Sequence, residues 1–134
     1  MMTHIRPRLF LGCFEDVLHS MAPITHIYTL CESRPVSAHI VFHRPIPDEI
    51  YLAPSVWATL VDELEGLMLV GHTVLVHCRL GVSRSPALVV AYLAQTEGMT
   101  VAAARLMVKT KRPVVQIHPE TWRGIVAWDH QRPS

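Results

Sequence analysis

Short apolar runs alternate along the chain with longer stretches whose apolar residues recur every three or four positions, and the turn-forming residues fall between them. Residues 8–11 and 25–30 have the β-like pattern, with a short helical piece expected around residues 15–21. Ile40–His43 predicts a third strand, closed by Pro45 and Pro47. Over residues 55–69 the apolar positions Trp57, Leu60, Val61, Leu64, Leu67 and Met68 mark one face of a helix, and Gly71 ends it. Residues 73–76 are apolar and largely β-branched, the pattern of a strand covered on both faces.

The helix expected over residues 85–97 carries Pro86 in its first turn, where a missing N–H costs little. It is apolar nearly all round, from Ala87 and Leu88 through Leu93 and Ala94, and should be the central buried helix. Gly98 stops it, Thr100 is placed to cap a further helix reaching Lys111, and Pro113 interrupts the chain again. A last helix is predicted over residues 119–130, buried through Trp122, Ile125 and Val126. Trp57, Trp122 and Trp128 all sit at core-like spacing and need no functional role. Strands joined by crossover helices imply a single α/β domain over residues 1–134, its mostly parallel sheet of four to five strands flanked by helices. No repeat, linker or low-complexity tract interrupts it.

Composition narrows the function classes. Half of the 134 residues are apolar, so a core can form, and charged residues are only 17% with a net charge of +1, which excludes charge-driven disorder. That balance also gives no general electrostatic case for a nucleic-acid partner. Cys13, Cys31 and Cys78 are an odd set in a chain able to bury its own core, which argues against a secreted disulfide scaffold. Charge and proline come early at the N-terminus, unlike a secretory signal, and the longest strongly apolar uncharged stretch, residues 85–96, falls short of the ~18 residues of a spanning helix. The expectation is a soluble protein of a reducing compartment, the cytoplasm, with no membrane segment. Of the nine histidines, His39 and His43 share a strand face but stand about 13 Å apart at ~3.3 Å per residue, so no metal site is indicated.

Ligands of open parallel sheets collect at the carboxyl ends of the strands, which directs attention to His77-Cys78-Arg79-Leu80-Gly81-Val82-Ser83-Arg84-Ser85. A tight loop entering a helix points backbone N–H groups inward and adds the positive end of the helix dipole, an anion site. Gly81 lets the loop curl, and Arg84 offers a planar fork for two oxygens of a phosphate. Cys78 sits at the floor, where the donors that hold phosphate also stabilise a thiolate, making it a nucleophile aimed at phosphorus. Ser85 can donate a hydrogen bond to that sulfur. A Cys with Arg six places on is a weak signal, expected by chance about 0.2 times here. With His before, Gly inside and a hydroxyl after, the combination outweighs the ordinary reading of Cys78 as a small buried hydrophobe.

The nonapeptide closely resembles the signature loop of cysteine-dependent protein phosphatases, and its Gly and Ser-Arg-Ser variant resembles the dual-specificity branch of the protein tyrosine phosphatase superfamily. Arg8-Leu9-Phe10-Leu11-Gly12, Thr25-His26-Ile27-Tyr28-Thr29-Leu30 and Lys111-Arg112-Pro113-Val114 are similar to flanking segments of that family. The resemblance implies hydrolysis of phosphorylated proteins through a cysteinyl-phosphate, with no cofactor or metal and with phosphate held by residues 79–84. It implies a supporting role for His77 behind the loop. It also implies a general acid on the loop about thirty residues before the cysteine. Asp48 stands there, with Glu49 as the fallback, while Asp62 and Glu63 lie mid-helix and are poorer candidates.

Nothing before Cys78 resembles the pocket-deepening loop of phosphotyrosine-restricted relatives, so phosphoserine and phosphothreonine are expected to be admitted besides phosphotyrosine. Arg79 either extends the positive field over the rim or points to solvent, which leaves a phosphoinositide or a phosphorylated RNA end open as alternative substrates. Cys13 and Cys31 are expected in the core, with a protective disulfide to Cys78 as an unsupported alternative. A rhodanese-like sulfurtransferase is disfavoured by Ser83-Arg84-Ser85 and Asp48, and a non-catalytic phosphopeptide-binding module by the presence of Cys78, Arg84 and Asp48 together.

Overall fold

The computed structural model describes residues 1–19 and 23–133. Five strands, β1 (Thr3–Arg6), β2 (Leu9–Cys13), β3 (His26–Thr29), β4 (Ile40–His43) and β5 (Val74–Cys78), form one sheet in the order β1-β2-β5-β3-β4. Pairs β2–β5, β5–β3 and β3–β4 are parallel; only β1 runs antiparallel to β2. Four helices follow or connect the strands: α1 (Pro54–Val70), α2 (Arg84–Glu97), α3 (Val101–Lys111) and α4 (Pro119–Gln131).

Side-chain alternation divides the central strand between two cores. Val74, Val76 and Cys78 join Leu9, Leu11 and Tyr28 against the buried faces of all four helices. Leu75 packs instead with Ile27, Val17 and Ile24, so among the described residues the second face is covered by the short 3-10 helix Phe14–Leu18 and by Ile24. The flanking of the sheet is therefore unequal. Helix α2 lies at the centre of the main core, with every position from Arg84 to Ala94 buried except Tyr92. Its length is set by Gly98 in the left-handed conformation, as that of α1 is by Gly71, and the Thr100 hydroxyl accepts from the Ala103 amide to start α3.

Three details depart from the sequence reading. The antiparallel strand β1 was not predicted: its four residues alternate without a recognisable apolar run, and its pairing depends on a turn in which Arg8 takes a φ of 80°. The helical piece expected over residues 15–21 is a 3-10 helix ending at Leu18, and the end of that expected span lies outside the described residues. Helix α4 buries Thr121, Gly124, Ile125 and Trp128, whereas Trp122 and Val126 are half-buried. No helix among the described residues is long and apolar enough to cross a membrane.

Candidate active site

The parallel alignment of β3, β4 and β5 brings three strand ends to one edge of the sheet. Cys78 closes β5, the turn over residues 79–83 follows, and Arg84 opens α2. The buried Ser85 hydroxyl lies 3.1 Å from the Cys78 sulfur, and its amide points at the same sulfur from 3.5 Å. The turn is anchored from outside through its carbonyls. Arg79 O accepts from the Phe14 amide at 3.0 Å, Gly81 O from Arg112 Nε at 2.9 Å and Val82 O from the Gln116 amide at 2.8 Å. Among the described residues no partner takes the amides of Leu80, Gly81, Val82 and Ser83, so a ring of donors is left for an anion at the head of α2. The left-handed Gly81 (φ 68°) permits this curl: a Cβ there would stand 2.5 Å from Gly12 O and 2.6 Å from Arg112 Nη2.

Arg84 is buried and held at one end. Its Nη1 donates to Glu32 Oε1 at 2.7 Å, Ile46 O at 3.1 Å and Leu30 O at 3.4 Å. Among the described residues its Nε has no hydrogen-bond partner, and it faces Asp48 Oδ1 at the longer ionic distance of 3.6 Å. A buried donor without a partner fits an oxyanion as the missing acceptor. Asp48 leaves β4 beyond Pro47, is 43% exposed and accepts from the Glu49 amide. Glu49 is exposed and adopts φ 58°, a left-handed backbone for a residue with a side chain.

His77 alternates to the face opposite Cys78 and is fully buried. Burial lowers the imidazole pKa, so the ring is neutral, and Nδ1 lies 3.1 Å from the Cys78 carbonyl oxygen. A carbonyl only accepts, so Nδ1 carries the proton and fixes the tautomer. The ring also touches Cys31, whose thiol pKa burial raises to about 11. Cys31 is therefore a protonated core thiol. Cys13 is only partly buried and is the register partner of Cys78 across β2 and β5, not a core residue as expected. All three cysteines are free. Asp62 and Glu63 are engaged elsewhere, with Gln95 and with Tyr28 and Arg44 respectively.

A cleft of about 570 Å³ opens over the loop. Asp48, Glu49, Cys78, Arg79, Leu80, Val82, Ser83 and Arg84 line one part of it. The other part is Arg105, Gln116, Ile117, His118 and Pro119, none of which the sequence singled out. Arg79 is exposed, lines this rim and lies over the Phe14 ring at 5.7 Å. Glu32 and Arg112 were missed as well. Arg112 is buried and ties Gly81 O to Met1 O and the Thr3 hydroxyl, so β1 supports the loop through it. Among the described residues no group of three or more His, Cys, Asp or Glu side chains is placed to hold a metal ion.

The sequence profile described as "Dual specificity phosphatase, catalytic domain" matches residues 55–131, more than half of the chain. Among similar curated proteins, the phosphatidylglycerophosphate phosphatase PTPMT2 of Arabidopsis thaliana is 40% identical over 94 residues, covering 68% of this chain and 41% of its own length. Dual specificity protein phosphatase 1 of the same plant is 39% identical over 119 residues, covering 82% of this chain and 60% of its own. The chain thus spans less than two thirds of these relatives. Among solved structures, human DUSP28 superposes with a TM-score of 0.81 at 26% identity, covering 96% of this chain and 93% of that one. The human tyrosine phosphatase-like serine/threonine/tyrosine-interacting protein superposes at 0.86 with 25% identity, covering 96% and 95%.

Proposed function

The chain belongs to the dual specificity phosphatase family, and from that premise we propose that it hydrolyses phosphomonoesters of phosphoproteins, phosphotyrosine and phosphoserine or phosphothreonine, through a cysteinyl-phosphate. The observation that carries this reading is one cleft lined by Cys78, Arg84 and Asp48, with the Ser85 hydroxyl 3.1 Å from the sulfur. In the proposed first step the Cys78 thiolate attacks phosphorus in line. The P–O ester bond breaks and Asp48, as the acid, gives its proton to the departing oxygen. Arg84, through the edge that carries its unpartnered Nε, and the amides of residues 80–83 hold the equatorial oxygens. Water then attacks the phosphorus of the cysteinyl-phosphate and passes a proton to the Asp48 carboxylate. The S–P bond breaks, inorganic phosphate leaves, and Ser85 donates a hydrogen bond to the released thiolate. His77 acts as a positioning residue that holds the Cys78 carbonyl from behind.

The step routes no electron pair through a metal or cofactor. Because the nucleophile must stay reduced, a reducing compartment such as the cytoplasm is the proposed setting. The test is phosphate release from phosphotyrosyl, phosphoseryl and phosphothreonyl peptides by wild type and Cys78→Ser. Turnover is expected to fall to background in the variant while phosphate still binds, and full activity in Cys78→Ser would sink the mechanism. A lipid phosphomonoester is the second reading, favoured by the 40% identity to a phosphatidylglycerophosphate phosphatase. Release from lipid vesicles with no peptide turnover would establish it in place of the first.

A further inference from the structure

The active cleft continues into a second, smaller one. A groove of about 330 Å³ runs along α3 between Leu106 and the turn over residues 113–117, and it shares Arg105, Gln116 and Ile117 with the cleft over Cys78. Its walls are mostly apolar: Ala102 and the 68% exposed Leu106 from α3, and the buried Val115 and Ile117 from the turn. Lys109 closes the far end, where its ammonium donates to the carbonyls of Pro113 and Val115 at 2.8 and 2.7 Å. Those bonds occupy the charge and hold the wall in place. At the neck, the Arg105 guanidinium carbon lies over the Trp122 ring, 4.3 Å from its centroid, and among the described residues it has no carboxylate partner.

We propose that this groove is a specificity subsite for one apolar side chain of a phosphopeptide substrate, whose backbone crosses the neck under the Arg105 guanidinium while its phosphate occupies the Cys78 loop. The inference rests on the phosphatase reading of that loop. Three observations select the occupant. The groove is continuous with the phosphate site, so a substrate that leaves the loop on this side must pass over it. At about 330 Å³ it lies at the lower end of ligand cavities, room for a single aliphatic or aromatic side chain and not for a pair of acyl chains. The opposite rim carries the exposed carboxylates of Asp48 and Glu49 beside Arg79 and Arg84, a mixed-charge wall facing an apolar one, between which a peptide can run. Arg105, held over the Trp122 ring and without a carboxylate partner among the described residues, presents donors for the peptide carbonyls that cross the neck.

The test is a set of phosphotyrosyl peptides in which Leu, Ala or Glu is moved stepwise along both sides of the phosphorylated residue. At one position Leu is expected to raise kcat/KM over Ala by about tenfold, chiefly through KM, as burial of one aliphatic side chain provides. The Leu-to-Ala ratio is read within each variant, so a general loss of activity cancels. Ala102→Trp, which fills the groove, and Leu106→Glu, which charges its wall, are expected to bring the ratio close to one. Leu69→Glu, on an exposed position of α1 outside the groove, is expected to keep it. A wild type with no position that separates Leu from Ala overturns the proposal, as does a preference that survives in both groove variants. So does a loss confined to hydrolysis of phosphatidylglycerophosphate vesicles, which would assign the groove to lipid. Absence of all turnover in the wild type would instead remove the proposed reaction, and the same ratio measured as Kd by fluorescence anisotropy would still decide the groove.

Discussion

The two loops that meet over Cys78 are built in opposite ways. The loop that holds the sulfur hangs between a fully buried strand and a buried helix, and its carbonyls at 79, 81 and 82 are each tied to a different part of the chain. The loop that holds Asp48 is pinned at its base, where Ile46 O accepts from Arg84 Nη1, but its tip is exposed, bends through a left-handed Glu49, and sets the Asp48 carboxylate against Arg84 Nε at a 3.6 Å ionic distance. The difference fits the role proposed for each. An anion cradle acts through fixed dipoles, which are effective when they need no reorganisation, so it is built into the core. A group that must reach a leaving oxygen, and then a water, gains from lying at the surface and being only lightly held.

If that contrast is right, rate and stability separate differently on the two sides. After the loss of turnover in Cys78→Ser, the largest expected effect is that of Asp48→Ala. It should lower kcat by roughly 10² to 10³ on phosphoserine, whose alkoxide leaves poorly, and much less on p-nitrophenyl phosphate, whose leaving group needs no proton. Its stability should change by no more than about 0.5 kcal/mol, as for other exposed substitutions. A kcat on phosphoserine within a few-fold of wild type would remove Asp48 from the acid role. A drop in Tm of ten degrees would show that the loop is not lightly held.

The same contrast explains what could be read from the sequence. The Cys78 loop was legible because its determinants are local: His77, Cys78, Gly81, Arg84 and Ser85 lie within nine residues, between a β-branched run and an apolar helix. The parallel sheet followed from the alternation of strands and helices. The residues that complete the cleft lie far away in the chain. Arg112 reaches Gly81 across 31 positions, Glu32 reaches Arg84 across 52, and Arg105 arrives on α3. Each is one arginine or glutamate among many in the sequence, and only the fold sets it apart. Strand β1 was hidden for a related reason: His4, Ile5 and Arg6 carry one buried residue between an exposed and a half-buried one, and their partner on β2 supplies the rest of the signal.

On the core side, Gly81→Ala should lose both rate and stability. A left-handed backbone costs a residue with a Cβ about 1 to 2 kcal/mol. The new methyl would also press on the Gly12 backbone at 2.5 Å, an overpacking of about 1 to 3 kcal/mol in a site where neither partner can move freely. Chemical denaturation should therefore show a loss of roughly 2 to 5 kcal/mol. Displacement of the amides by a fraction of an ångström should lower kcat by about 10² on every phosphomonoester, whatever its leaving group. Unlike Asp48→Ala, this loss has no leaving-group dependence. A variant that kept wild-type stability would mean that the loop is not clamped between Gly12 and Arg112.

The smallest effect tests the strained residue on the light side. Glu49 sits at φ 58° with an exposed side chain. Glu49→Gly removes a left-handed penalty of about 1 to 2 kcal/mol but gives the unfolded chain about 0.5 to 1 kcal/mol of extra freedom. The net expectation is a gain of up to about 1.5 kcal/mol, measurable as a shift of the denaturant midpoint at constant m. Activity should fall no more than two- or threefold, since the bend survives with glycine and Asp48 keeps its place. The two readouts divide the remaining roles of the residue. A hundredfold drop in kcat on phosphoserine with the stability gain intact would transfer the acid from Asp48 to Glu49. A loss of stability would show that the Glu49 side chain, and not the bend alone, holds the acid loop against the cleft.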